Sequence, residues 1–421
     1  MIKETTWYDS LQYCSLLLFA AAIPVGWHMA LWASALVALT SLVSAVAGAI
    51  AHRRPRLLTG HAGTVALGLI VVYWLVLLVS MLYTSDTATG WQVLGLKAVL
   101  LILPLAMLLT AGQGLGADRL RHIGYAFLAG MAGTFVYWCV VAVGKMLAGS
   151  SFGTAFGVGF DPRHHAYTAL YIAAALAFIY NELHSRWTTM PRWLRATLLA
   201  LVPLLIFYTV MVNSRAGMLT LYLLEAACTV HFALTRRRWW QAVLMAVLLA
   251  GFTVGIEHAM PGHATRVADT IEDIASDEPS DARVQINGSS IEAAMKHPVF
   301  GYGVGDYHKC QVQQYSDDDF SAGISAGYNA HNQYVETVLA VGFVGLLPFL
   351  LMLVWPLWTA WRSRSDRLWL VLMLTFIVCF NMLFESMLER QMGLLFIGPV
   401  YTVMALIVSA DKNKFGQLRE K

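Results

Sequence analysis

Apolar runs of helix-spanning length recur along the chain, with short polar or charged turns between them. A helix needs about 20 apolar residues to cross a bilayer core of about 30 Å. Breaks in hydropathy predict roughly twelve such helices. They lie near residues 11–25, 29–50, 65–83, 91–109, 123–147, 166–181, 196–212, 216–234, 239–256, 333–355, 368–384 and 393–408. The expected fold is therefore an all-α polytopic membrane protein.

One long polar segment, residues 258–332, interrupts this pattern. It divides a single integral-membrane domain into residues 1–257 with nine spans, the loop 258–332, and residues 333–421 with three spans and a tail. Apolar spacing predicts a short helix in the loop, opened by Arg283 and ended by Pro298. The glycines of Gly301–Gly305 are expected to let the backbone turn sharply back towards the membrane. This run has no preceding strand and no Lys-Ser/Thr ending, so a nucleotide site is not expected.

Composition supports this class of protein. The chain of 421 residues is 58% hydrophobic and 13% charged, whereas soluble domains carry about 25% charged residues. The net charge of +3 indicates no nucleic-acid partner. The five cysteines show no paired spacing, which predicts neither a disulfide nor a metal cage.

Arginine and lysine mark one side of the membrane. Alternate connections and the termini hold most of them: Arg53, Arg54, Arg56, Arg119, Arg121, Arg186, Arg192, Arg195, Arg236, Arg237, Arg238, Arg362, Arg364, Arg367, Lys3, Lys412, Lys414, Arg419 and Lys421. Cytoplasmic loops carry such an excess. Both termini are therefore expected in the cytoplasm, and the 258–332 loop on the outer side.

The remaining basic residues fall on or near the outer side, where they are unusual. They are Lys97, Lys145, Arg163, Arg215, Arg266, Arg283, Lys296, Lys309 and Arg390. Ionisable groups at this depth usually face a cavity or a partner. Arg215 lies in a tight turn, Asn213–Gly217, and Lys97 lies about two turns inside its span. A phosphate or pyrophosphate arriving from the outer leaflet would explain Arg163, Arg215, Arg283 and Lys97 together.

Each of these residues also has a structural interpretation. An arginine at a span end can reach headgroup phosphates, and one in a loop can simply be solvated. His331 lies where the loop re-enters the membrane and suits proton transfer near neutral pH, although a histidine there can also cap a helix. The other histidines lack the HxxxH or HExxH spacing of a zinc site. No metal is expected.

The motifs resemble one known family. The Asn213–Gly217 turn, the loop helix opened by Arg283, the run His297–Tyr307 and the run Ala330–Gly345 are similar to the O-antigen ligase/polymerase superfamily of bacterial inner membranes. The resemblance is nearest to the O-antigen ligases. It implies a GT-C-type, inverting glycosyltransferase that needs no metal or other cofactor.

The resemblance also implies substrates and residue roles. The donor would be a polysaccharide on undecaprenyl diphosphate, the acceptor a sugar hydroxyl of lipid A–core, and membrane lipids would surround both. Arg215 and Arg283 would hold the diphosphate, and His331 would act near the acceptor hydroxyl. Arg163 and Lys97 join the diphosphate ligands on charge placement alone. The family often has Trp where this chain has Asn287.

Three other functions stay open. An O-antigen polymerase or a protein O-oligosaccharyltransferase would share the fold and differ in the acceptor. A transporter of an anionic lipid would also need buried arginines, but it usually carries charge near the bilayer midplane. Here the polar groups gather near one face.

Overall fold

The computed structural model describes residues 6–52, 56–57, 61–110, 115–156, 160–236 and 282–419, with scattered residues between 243 and 258. The helices before the long polar segment are α1 (Trp7–Ala22), α2 (Trp27–Ile50), α3 (His61–Val79), α4 (Thr87–Lys97), α5 (Val99–Leu108), α6 (Ala117–Leu147), α7 (Phe152–Phe156), α8 (His165–Arg186), α9 (Arg192–Val212) and α10 (Arg215–Arg236). The later helices are α11 (Ala282–Lys296), α12 (Tyr307–Asp317), α13 (Ser321–Ala326), α14 (Gln333–Arg362), α15 (Leu368–Asn381) and α16 (Gln391–Arg419). Two-residue strands, β1 (Arg56–Leu57) and β2 (Leu109–Thr110), pair antiparallel.

The predicted all-helical membrane fold is confirmed. Within the described part of the chain, nine helical stretches are long and apolar enough to cross a bilayer. Helices also occupy the first and eleventh predicted spans, but α1 has 16 residues and α15 has 14. The predicted span 239–256 lies almost wholly outside the described residues. The total of twelve therefore stays a prediction.

The chain forms two compact units, which are described separately. The first contains Met1–Phe127, Asp281–Thr375 and Met382–Lys421, and the second contains Leu128–Ser280 and Phe376–Asn381. In the first unit, α14 packs on α3 and α16, and α2 packs on α1 and α5. In the second, α8 packs against α9 and α10. A side chain at Gly217 would meet Ala169 Cβ at 2.3 Å, so a glycine is needed where α10 meets α8.

The polar segment is anchored on a break in α14. Val341 and Gly342 leave helical geometry, with Gly342 at φ 64°. The loop before α12 replaces the lost helical hydrogen bonds. The amides of Tyr302 and Gly303 donate to Leu339 O and Ala340 O at 2.8 and 2.9 Å.

The reverse bonds complete this junction. Phe343 N donates to Pro298 O at 2.8 Å, and Val344 N donates to Val299 O at 3.2 Å. Gly301 and Gly303 have φ of 68° and 92°, the left-handed region that glycine enters without steric cost. The sharp turn predicted for this glycine run is confirmed, and its bonds hold the polar segment against one end of α14.

Candidate active site

The first turn of α14 is built around His331 and Asn332. His331 has a φ of 46°, which is uncommon for a residue with a side chain and often marks functional sites. The Asn332 side chain accepts hydrogen bonds from the amides of Tyr334 and Val335 at 3.0 and 3.2 Å. Such a side chain satisfies amides that a helix leaves open at its start. The cap fixes where α14 begins and holds His331 just before it.

The segment between α15 and α16, which contains a 3-10 helix at Met387–Glu389, covers this helix start. Gln333 N donates to Met382 O at 2.8 Å, and Leu388 N donates to the Gln333 side-chain oxygen at 2.6 Å. The Glu336 carboxylate accepts from Ser386 Oγ at 3.0 Å and from Ala330 N at 2.8 Å. Three of these four bonds join residues about 50 positions apart in sequence, so a distant segment holds the mostly buried start of α14 in place.

Glu385 lies beside His331 at the start of α14. His331 Nδ1 is 3.5 Å from Glu385 Oε2, and the Glu385 side chain is 1% exposed. The His331 side chain is 19% exposed, yet its Nδ1 atom is buried, so the accessible part of the side chain lies elsewhere. A carboxylate beside Nδ1 favours the tautomer with its proton on Nδ1, which leaves Nε2 able to accept a proton. Hydrogen bonds of catalytic groups are often long before substrate binds.

Lys97 reaches the same covering segment. Its ammonium group lies 2.6 Å from Glu389 Oε1, and Tyr307 OH donates to Glu389 Oε2 at 2.9 Å. Burial, with the Glu389 carboxylate beside it, holds the pKa of Tyr307 well above its ordinary value, so this hydroxyl stays a donor. The structure therefore places Lys97, 2% exposed, against a carboxylate that neutralises its charge.

Arg283 is the second residue of α11, which packs on α14. The buried face of α11 includes Ile286 and Ser290. Gln311 Nε2 of α12 donates to Ser290 Oγ at 2.8 Å. The loop helix predicted to open at Arg283 is confirmed. The first turn of a helix carries partial positive charge, which adds to that of the half-buried arginine.

Arg215 belongs to the second unit and begins α10. Asn213, at φ 55°, ends α9 in the left-handed conformation, and the amide of Gly217 donates to Ser214 Oγ at 3.2 Å. Ser214 thus caps α10, and the tight turn predicted from Asn213 to Gly217 is confirmed. An arginine at a helix N-terminus suits an anionic ligand because amides and guanidinium carry the same sign of charge.

Arg163 also belongs to the second unit, just before α8. Its guanidinium binds both oxygens of Asp161 and donates to Tyr208 OH at 2.7 Å. Tyr208 OH in turn donates to Asp161 Oδ2 at 2.8 Å. Burial alone would raise the pKa of Asp161, but the Arg163 guanidinium outweighs burial and holds that pKa below its ordinary value. Arg163 is therefore half of a neutral ion pair.

Sequence reasoning missed Glu385 and Glu389. Both lie in the short segment Glu385–Arg390, which holds three charged residues between two apolar stretches. Carboxylates so close to predicted spans could have been singled out. Arg266 lies outside the described residues. Within the described part of the chain, no group of three His, Cys, Asp or Glu side chains is placed to hold a metal ion.

Comparison with known families confirms the predicted resemblance over part of the chain. A model of the O-antigen ligase family matches residues 199–350, a little over a third of the sequence, and this segment contains Arg215, Arg283 and His331. Residues 199–350 are therefore similar to the O-antigen ligase family, and they lie within a multi-helix membrane fold. No curated protein matches the chain.

Proposed function

We propose that this protein is an O-antigen ligase. It transfers a polysaccharide from undecaprenyl diphosphate to the lipid A–core oligosaccharide, with inversion at the anomeric carbon and without a metal ion. The observation that most directly supports a transfer reaction is His331 beside the buried Glu385 at the start of α14. The family match supports the class of substrate, a lipid-linked glycan.

His331 is proposed as the base for the acceptor hydroxyl. Its Nε2 takes the proton as the acceptor oxygen attacks the anomeric carbon from the face opposite the diphosphate. The new carbon–oxygen bond forms while the bond to the diphosphate breaks, and undecaprenyl diphosphate leaves with that electron pair. Glu385 keeps the Nδ1 proton in place and stabilises the imidazolium. A positioned base contributes about 10²–10⁴-fold to such a step.

Arg215 and Arg283 are proposed to bind the donor diphosphate. Negative charge grows on the leaving oxygen as the glycosidic bond breaks, and fixed cations stabilise it. One well-aimed donor is worth about 3 kcal/mol in a site that excludes water. Each arginine stands at a helix N-terminus, so the helix adds to its attraction for phosphate. Two arginines can supply the charge stabilisation that a divalent cation provides in other phosphate sites.

For Lys97 and Arg163 we propose positioning roles in place of direct phosphate binding. Each was expected to bind the diphosphate because of its charge. Lys97 is bound to Glu389 and Arg163 to Asp161, so neither brings net positive charge to a ligand. Lys97 instead holds Glu389 in the segment that covers the start of α14.

The reaction is proposed to occur at the periplasmic face of the inner membrane, with both termini in the cytoplasm. This orientation is supported by the distribution of Arg and Lys along the sequence. Arg119 and Arg186 are among the basic residues that are expected on the cytoplasmic side and that the structure describes. The 258–332 loop, with Arg283 and His331, would then be periplasmic.

The test is transfer in vitro with purified full-length protein, polyprenyl-diphosphate glycan, lipid A–core and EDTA. Wild type should give higher-mass lipopolysaccharide in the presence of EDTA. Arg215→Ala should lower the rate by about 10²–10³-fold, the loss typical for one charge-stabilising donor. Arg192→Ala is the matched control, since Arg192 is exposed and also begins a helix, and its rate should equal that of wild type.

Other outcomes would replace the proposal. Extension of the donor glycan without any use of lipid A–core would identify a polymerase. Transfer to a protein serine or threonine would identify a protein glycosylating enzyme. If only lipid-linked glycan crossed liposomes and no glycosidic bond formed, the protein would be a transporter. Loss of activity in EDTA, restored by a divalent cation, would refute metal-independent transfer.

A further inference from the structure

Four large apolar side chains of the polar segment are exposed within the described part of the chain. Val299 and Phe300, in the turn that docks on the α14 break, are 53% and 60% exposed. Ile291 and Met295, one turn apart on α11 shortly before them, are about half exposed as well. In water, large apolar side chains clustered in this way mark an interaction surface.

This surface continues the lipid-facing sides of two membrane helices of the same unit. On and just beyond α3, the exposed residues Val72, Leu75, Val79 and Leu82 follow helical spacing and lie along one side. On α14, the exposed residues Phe343, Leu347, Leu351, Val354 and Trp358 form a second stripe. Apolar stripes of this kind, on helices long enough to cross the bilayer, face lipid.

Hydrogen bonds join the Val299–Phe300 turn to the end of each stripe that lies nearest to the polar segment. Tyr83 follows Leu82, and its OH donates to Phe300 O at 2.6 Å. Phe343 and Val344 donate to Pro298 O and Val299 O. The turn therefore stands where the exposed stripes of α3 and α14 end.

The length of α14 gives the depth of the Val299–Phe300 turn in the membrane. From Phe343 to Arg362, α14 rises about 30 Å, which is the thickness of the hydrocarbon core. With Arg362 at one membrane surface, Phe343 and the bound turn lie at the opposite border of the core. The first part of α14, Gln333–Ala340, is about 12 Å long and lies on the other side of the Val341–Gly342 break from Arg362, with His331 just before it.

We propose that Val299, Phe300, Ile291 and Met295 are immersed at the border of the membrane, covered by acyl chains of the surrounding phospholipids. The α11–α12 connection then acts as an interfacial anchor. Amphipathic helices anchor in the same way when they bury an apolar face at the border between headgroups and acyl chains. Continuity with the two stripes favours bulk lipid over a partner protein. The anchor holds the start of α14 at a fixed height above the hydrocarbon, where a lipid-linked donor and a lipid-linked acceptor would present their headgroups.

Photo-crosslinking tests this placement without any assay of transfer. Phe300 is replaced by p-benzoylphenylalanine in the full-length protein, which is placed in nanodiscs of phosphatidylethanolamine and phosphatidylglycerol without lipopolysaccharide. Irradiation should give phospholipid adducts, detected by mass spectrometry. The same probe at Val79 is the positive control. The probe at Ile324, which is 42% exposed in α13 of the same polar segment, should give none above background.

Adducts at position 79 but not at 300 would refute the proposal. The probe at Ile291 is a second test, since a change there does not touch the glycine turn, and it should also give adducts. In the final experiment, lipid A–core is added to the same nanodiscs before irradiation. Phospholipid adducts at 300 that persist would support bulk lipid as the occupant. Replacement of all of them by lipid A adducts would assign the surface to the acceptor and overturn the proposal.

Discussion

Two polar clusters, one in each unit, use buried charges differently. In the second unit, one carboxylate, Asp161, meets one guanidinium, Arg163, and the Tyr208 hydroxyl completes their hydrogen bonds. At the start of α14, three carboxylates, of Glu336, Glu385 and Glu389, lie near one lysine and one histidine. The first cluster is electrically balanced, and the second has more acid than base.

This difference separates a structural role from a chemical one. A buried carboxylate–guanidinium pair has no net charge with which to attract a charged substrate. A histidine beside a carboxylate can take a proton because the carboxylate stabilises the imidazolium that results. We therefore expect substitutions in the second unit's cluster to change stability, and substitutions at His331 and Glu385 to change turnover.

His331→Ala should have the largest effect. It removes the proposed base and should lower kcat by about 10²–10⁴-fold, while the melting temperature changes little because the side chain is partly exposed. His308→Ala, an exposed histidine of the same polar segment, is the control and should keep wild-type kcat. His331→Gln separates base from orienting residue. Near-normal turnover of this variant would mean that His331 only orients the acceptor.

Asp161→Asn tests the expectation that a substitution in the second unit's cluster changes stability and leaves turnover nearly unchanged. It leaves the Arg163 charge buried without its carboxylate, which typically costs about 3–5 kcal/mol of stability. The melting temperature in detergent should fall, while kcat per folded molecule should stay within about tenfold of wild type. Asp118→Asn is the control, because Asp118 pairs with Arg121 but is 81% exposed, and such pairs contribute about 0–1 kcal/mol. A large loss of kcat with unchanged stability would place Arg163 at the donor after all.

Glu385→Gln should have a smaller effect on turnover than loss of His331. The amide keeps the shape of the carboxylate but neither fixes the Nδ1 proton nor stabilises the imidazolium. A carboxylate-to-amide change costs about 10⁴-fold in a serine protease triad. Here the longer His331–Glu385 distance suggests a loss on the order of 10²-fold. The dependence of kcat on pH should also differ between this variant and wild type. An unchanged profile in a folded variant would make Glu385 purely structural.

Hydrophobic periodicity was sufficient to predict the helical fold. The span predicted at 29–50 is α2, Trp27–Ile50, and the turn predicted at Asn213–Gly217 separates α9 from α10. The span predicted at 368–384 was wrong at its end, because α15 stops at Asn381. The break at Val341–Gly342 was also missed. A distant loop hydrogen-bonds to α14 at this break, and the local sequence does not report a contact of that range.

The candidate site was only partly predictable for the same reason. Charges placed where membrane proteins avoid them pointed to Arg215, Arg283, Arg163 and Lys97. Charge placement could not show that Asp161 and Glu389 neutralise two of these residues. Glu385 contacts a histidine 54 positions earlier in the chain, and no periodic pattern reports a contact of that range. Cations were predictable from the sequence, whereas their partners required the structure.

The pair of Asp86, whose side chain is 23% exposed, and Lys309, whose side chain is 70% exposed, provides the smallest expected effect. It serves as a reference for the effects expected in the other two clusters. Lys309 Nζ lies 2.8 Å from Asp86 Oδ2, and the Lys309 bond, with the Thr89 bonds, lowers the pKa of Asp86 from 3.8 to about 2. Because the folded pKa is the lower one, ionised Asp86 stabilises the fold above about pH 4, and this contribution is lost as the pH falls towards 2. Asp86→Asn keeps the cap on Thr89 but removes the charge. Its melting temperature should lie slightly below that of wild type at pH 7, and the two should converge as the pH falls below about 2. A difference that stayed constant with pH would mean that packing of the side chain matters here more than its charge.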